Sequence, residues 1–96
     1  MVNEELRKMY CIVVYDISSP KRLPRMLKIC RKYLHWVQKS VFEGELTKRQ
    51  FINLHDELKS KINKKEDSII FYQIRNTDVV DKQLLGIEKN EITIFI

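Results

Sequence analysis

Apolar residues follow two rhythms along the chain. Met9–Tyr15 (MYCIVVY) is an unbroken apolar, β-branched and aromatic run. Its length fits a strand buried on both faces. It stops at Asp16-Ile-Ser-Ser-Pro20, where the Asp, Ser and Pro residues signal a turn and a helix entry. From 21 to 33 the spacing becomes helical. Leu23, Met26, Leu27, Cys30 and Leu34 share one face, while Arg25, Lys28 and Lys32 share the opposite one, flanked by Arg22 and Arg31. Pro24 removes a hydrogen bond near the start, so the regular helix begins after Lys21 or bends there. Trp36, Val37, Val41 and Phe42 then favour strand, with a hairpin or a bent pair of strands around Lys39 and Ser40. Thr47-Lys-Arg-Gln50 has capping-box spacing, and Phe51, Leu54, Leu58 and Ile62 mark a second helix to about Asn63. Lys64–Asp67 is a charged turn and Ser68–Ile74 a further strand. Residues 1–8 read as a charged lead-in, 75–90 as a polar connection with an apolar patch at Leu84–Ile87, and Glu91–Ile96 as a last, amphipathic strand.

The resulting order is β-α-β-β-α-β with one added C-terminal strand. Two crossovers around a central hairpin predict an α+β, ferredoxin-like domain spanning 1–96, with both helices on one face of an antiparallel sheet. The other face then lacks cover from this chain, which predicts a two-fold homodimer. The terminal strand is free to pair within the chain or across that dimer. At 96 residues a single modest core is available, without a deep enclosed cleft. Two glycines leave no material for a glycine-rich phosphate loop. No apolar run approaches the roughly 18 residues of a membrane span, and the start lacks the basic and apolar regions of a signal peptide. Cys11 and Cys30 sit in apolar surroundings with no metal-ligand spacing, so they read as reduced core residues of a cytoplasmic protein. His35 and His55 are isolated and read as structural.

Charge changes this picture. The net charge is +5, yet no acidic residue lies between Asp16 and Glu43. That gap holds Lys21, Arg22, Arg25, Lys28, Arg31, Lys32 and Lys39. Such segregation suggests a polyanionic partner, while for an isolated run a solvated helix face is the simpler reading. Asp16 has two readings as well: a ligand for a divalent cation, or a carboxylate offsetting the dipole of the helix that follows. Glu43 and Glu45 share a face at strand spacing and read as surface or interface pairing. Tyr15, Trp36 and Phe42 read either as packing or as surfaces on which bases stack.

Tyr15-Asp16-Ile17-Ser18 after an apolar strand, then a basic helix, then the nine residues Gln38–Leu46 (QKSVFEGEL), resemble the small CRISPR-associated family called Cas2. Asp67-Ser-Ile-Ile-Phe-Tyr72 is similar to a strand of the same family. The resemblance implies a homodimer and a metal-dependent (Mg²⁺) endonuclease acting on single-stranded RNA or duplex DNA. It also implies a place as the central dimer of the complex that captures foreign DNA into CRISPR arrays, with the integrase Cas1 as partner. Asp16 matches the family's metal-binding, catalytic aspartate, Tyr15 its aromatic neighbour and Phe42 a residue near the site. Arg22, Arg25, Lys28 and Lys32 are the expected nucleic-acid grip. Where the family often has two arginines after the aspartate, this chain has Leu23 and Arg25, and Trp36 stands where some relatives have arginine. A non-catalytic DNA-binding dimer for the integrase, and a toxin-like ribonuclease of the same fold, are the competing readings.

Overall fold

The computed structural model describes residues 7–76 and 79–88. In chain order the elements are β1 (Lys8–Asp16), α1 (Leu23–Tyr33), β2 (His35–Gln38), β3 (Val41–Thr47), α2 (Lys48–Lys61), β4 (Ser68–Asn76) and β5 (Val79–Gly86). One antiparallel sheet runs in the order β2-β3-β1-β4-β5. The first six elements make the ferredoxin-like βαββαβ unit expected from the sequence.

Alternation along β1 sends Cys11, Val13 and Tyr15 into the core. They meet Phe42 and Leu46 of β3, Ile69 and Phe71 of β4, Met26, Ile29 and Cys30 of α1, and Leu54 and Leu58 of α2. Both helices therefore cover one face. Helix α1 begins at Leu23, with Pro24 in its first turn, where its missing N–H breaks no helical bond. Helix α2 carries the capping box read from the sequence: Gln50 N–H donates to Thr47 Oγ1 and Thr47 N–H to Gln50 Oε1.

The other face is made by Tyr10, Ile12 and Val14 with their cross-strand partners, among them Val41, Ile70, Tyr72 and Ile74. The expectation that this face lacks cover holds at Tyr10, which is 37 % exposed, but not at Ile70 and Tyr72, at 1 % and 5 %.

The reading of 75–90 as a connection is corrected. Val79–Gly86 forms β5 and pairs with β4 from Ser68↔Gly86 to Ile74↔Val80. A fifth strand thus follows the βαββαβ unit within this segment; the terminal strand expected at Glu91–Ile96 lies outside the described residues. Gly86 ends β5 at φ +91°, where a Cβ would stand 1.9 Å from the Asp67 carbonyl oxygen. That backbone geometry admits only glycine.

Candidate active site

The end of β1 builds the site. Tyr15 turns inward and its ring lies 6.1 Å from that of Phe42. Asp16, one residue on, turns to the opposite, helix-free face and is exposed. It sits on the strand, opposite Ser68 of β4. The first turn of α1 itself holds no acidic residue. An open cleft of about 410 Å³ runs beside it, lined by Val14, Tyr15, Asp16, Ile17, Leu23, Lys39 and Ser40.

The far wall of the cleft is the β2–β3 hairpin tip. Lys39 adopts φ +40°, a left-handed conformation that a lysine holds only when its surroundings impose it. Three hydrogen bonds do so. Tyr15 Oη and Trp36 Nε1 both donate to the Lys39 carbonyl, at 3.2 and 3.0 Å, and Tyr15 N–H donates to the Ser40 carbonyl at 3.1 Å. Burial pushes the Tyr15 phenol above its ordinary pKa, aided by Cys30 and opposed by Arg31, so it remains a donor. Lys39 and Ser40 were not singled out in the sequence as site residues. Their signal was the hairpin itself, since β3 pairs with β1 and must bring the tip to the end of β1.

Behind the site, the turn from 17 to 22 is clamped. Asp67 is fully buried at the entrance to β4. Its Oδ1 accepts Ser18 N–H at 3.0 Å and its Oδ2 accepts Asn63 N–H at 2.9 Å. Arg22 donates to both oxygens at 2.8 and 3.0 Å, and to Glu66 Oε2 at 2.9 Å. Ser18 Oγ donates to the Glu66 carbonyl at 2.7 Å. Burial alone would raise the Asp67 carboxyl. The Arg22 guanidinium and the Asn63 and Ser18 N–H groups together outweigh it and hold the carboxyl below its ordinary value.

This clamp corrects one expectation. Arg22 was assigned to the nucleic-acid face; its guanidinium is instead turned onto Asp67 and Glu66. Lys32 pairs with Glu57, which also accepts from Tyr33 Oη. Arg25 and Lys28 remain exposed on the outer face of α1, away from the cleft lining. Phe42 is fully buried and Tyr15 is 6 % exposed, so neither offers a face to a base. Trp36, at 58 %, does.

Asp16 is the cleft's single carboxylate. Among the described residues no three His, Cys, Asp or Glu side chains gather closely enough to share an ion. Cys11 and Cys30 are buried free thiols, pushed by burial to about 11 and about 12; neither is a ligand or nucleophile at neutral pH.

Comparison with known proteins adds to this geometry. Residues 9–82 match the family model described as CRISPR associated protein Cas2. A protein of Dictyoglomus turgidum named CRISPR-associated endoribonuclease Cas2 is 48 % identical over 83 residues, covering 86 % of this chain and 94 % of that one. A crystal structure of a Cas2 superposes with a TM-score of 0.69 at 37 % identity, covering 94 % of this chain and all of the other. That of Streptococcus pyogenes Cas2 at pH 6.5 gives 0.62 at 39 % identity, over 67 % and 83 %.

Proposed function

The chain belongs to the CRISPR-associated Cas2 family, and from that premise we propose that it is a Mg²⁺-dependent phosphodiester endonuclease. It acts in the cytoplasm on single-stranded RNA or duplex DNA. Its place is the central homodimer of the complex that, with the integrase Cas1, captures foreign DNA into CRISPR arrays. The observation that carries the reading is Asp16, an exposed carboxylate at the end of β1, lining an open cleft beside Lys39.

One carboxylate per chain suits Mg²⁺, which keeps several waters and takes one or two carboxylates from protein. Asp16 lies on the helix-free face, the face two copies would bring together, so a two-fold axis near it would supply the second. When bound, Mg²⁺ neutralises charge on the scissile phosphate and makes an attacking water more acidic. The chain does the rest. The Lys39 ammonium draws the phosphodiester into the cleft. Tyr15 and Trp36 fix the Lys39 carbonyl, so the wall of the cleft holds its place relative to β1. The Asp67 clamp fixes the turn that leaves Asp16.

The test is cleavage of RNA and DNA by the intact chain and by Asp16→Asn, with and without Mg²⁺. Asp16→Asn is expected to lose Mg²⁺-dependent cleavage and keep its fold and assembly. Wild-type rates in the variant, with contaminating nuclease excluded, would overturn the assignment. The single carboxylate also favours a second reading, a DNA-binding dimer that spaces two integrase partners without cutting. Duplex binding by an intact chain that shows no Mg²⁺-dependent cleavage decides for it.

A further inference from the structure

Trp36 is a large apolar side chain in an unexpected place. It lies on the edge strand β2, and 58 % of it faces solvent. The β2–β3 register shifts between Trp36 and Gln38, which leaves Val37 as an extra residue. Such a bulge in an edge strand re-aims the neighbouring side chain. The indole is nevertheless held, because its Nε1 donates to the Lys39 carbonyl at 3.0 Å. That same oxygen takes the hydroxyl of Tyr15, which lines the cleft together with Asp16 and Lys39. The ring's one polar group is thereby satisfied, and its π surface is presented beside the cleft.

A fixed, exposed aromatic face in a basic stretch of chain has a chemical complement. Arg31 and Lys39 are exposed near it in the sequence, and no acid occurs from 17 to 42. A nucleobase supplies a π surface and its backbone supplies negative charge. A duplex keeps its bases stacked on each other, so an open ring selects unstacked bases. We infer that Trp36 is a stacking subsite for one base of a single-stranded nucleic acid. The base on the ring places the adjoining phosphate over Lys39, at the mouth of the Asp16 cleft. The inference rests on the reading of that cleft as a phosphodiester site and names the form of substrate it favours.

Trp36 is the only tryptophan in the chain, so intrinsic emission reports this ring alone. The intact protein, in chelator so that nothing is cut, is titrated with a short uridine oligoribonucleotide, its thymidine deoxy counterpart and a blunt DNA duplex. Binding is followed in parallel by anisotropy of labelled strands. Quenching by either single strand and not by the duplex supports the subsite, and comparing the two strands reads out any part played by ribose. Trp36→Ala should weaken single-strand binding about tenfold and duplex binding by distinctly less, and Trp36→Phe should keep most of the single-strand binding. Single-strand binding by anisotropy with unmoved emission, or equal losses for all ligands in Trp36→Ala, overturns the subsite and leaves the nucleic-acid reading standing. No binding of any nucleic acid removes both. Emission that shifts on diluting the protein alone, with Trp36→Ala dissociating it, would seat the ring between two copies and overturn the inference.

Discussion

Tyr15 and Asp16 are neighbours with opposite fates: β1 alternates, burying Cys11, Val13 and Tyr15 and leaving Tyr10 and Asp16 exposed, whereas the unbroken apolar run reads as a strand buried on both faces. Asp67 was legible only as part of a motif. Nothing in a charged turn Lys64–Asp67 marks its last residue as fully buried, because its four donors arrive from sequence positions 18, 22 and 63. Arg22 was misplaced for the same reason: its partner lies 45 residues away, and helical spacing reports only nearer neighbours. The clamp predicts that Asp67→Ala leaves a part-exposed guanidinium without its main partner and strands two backbone donors, at a cost of about 2–3 kcal/mol. In a domain of this size that lowers Tm by roughly 10–20 °C, readable by calorimetry. The Asp67 carboxyl titrates lower in the folded than in the unfolded chain. Its stabilisation is therefore complete above the unfolded value, about pH 4, and is lost as pH falls below that through the folded value. The stability gap between wild type and Asp67→Ala in urea titrations should shrink as pH drops from about 5 to about 3. A constant gap would mean that the carboxylate is not the group that matters.

At the scale of elements, the two helices and strands β1, β3 and β4 could be read because each buries a face against the core, while β2, exposed at all its residues, was legible through its aromatic and β-branched content and the hairpin that follows it. Segment 79–86 could not. Among the described residues it is an edge strand that pairs on one side, and its polar residues are kept busy locally: Arg75 pairs with Asp81 at 3.0 Å, and Gln83 Nε2 lies 3.2 Å from His55 Nε2. An edge under so little demand for burial carries no clean alternation. Helix α1 presents its cations as expected, but with Arg22 on Asp67 and Lys32 on Glu57 the exposed grip narrows to Arg25 and Lys28. Each neutralised duplex phosphate contributes about −0.9 to the slope of log K against log salt. Two contacts from each of two chains give a slope of about −4. Arg25→Gln with Lys28→Gln should bring that close to zero and weaken all duplex sequences alike, measured by anisotropy at several salt concentrations. An unchanged slope would put the duplex on another surface.

For the whole molecule, one face of the sheet is closed by helices and the other exposes Tyr10 next to half-buried Ile12 and Val14, with Asp16 on that same side. On the proposed reading, in which a two-fold axis brings two Asp16 carboxylates together, a single protomer holds half of the site, and assembly and chemistry fall on one surface. Sedimentation of the intact chain at micromolar concentration should give a dimer, and Asp16→Asn should give the same. A monomer under those conditions would leave one carboxylate per site and count against metal-dependent cutting. A dimer that falls apart in the variant would make Asp16 a strut of the interface rather than its chemistry.

The alternation of β1 also limits how the chain can change through descent. Insertion or loss of one residue between Lys8 and Val14 would carry every later side chain to the opposite face of the sheet. After a loss, Asp16 would press against Phe42 in the place Tyr15 now fills, and a bare carboxylate buried there would cost about as much as the whole stability of a small domain. Length drift in this strand therefore destroys the core in the same event that displaces the carboxylate. On the proposed reading of Asp16, a lineage moving from a cutting form to a purely DNA-holding one does so by exchange at position 16, with the frame of the strand left intact.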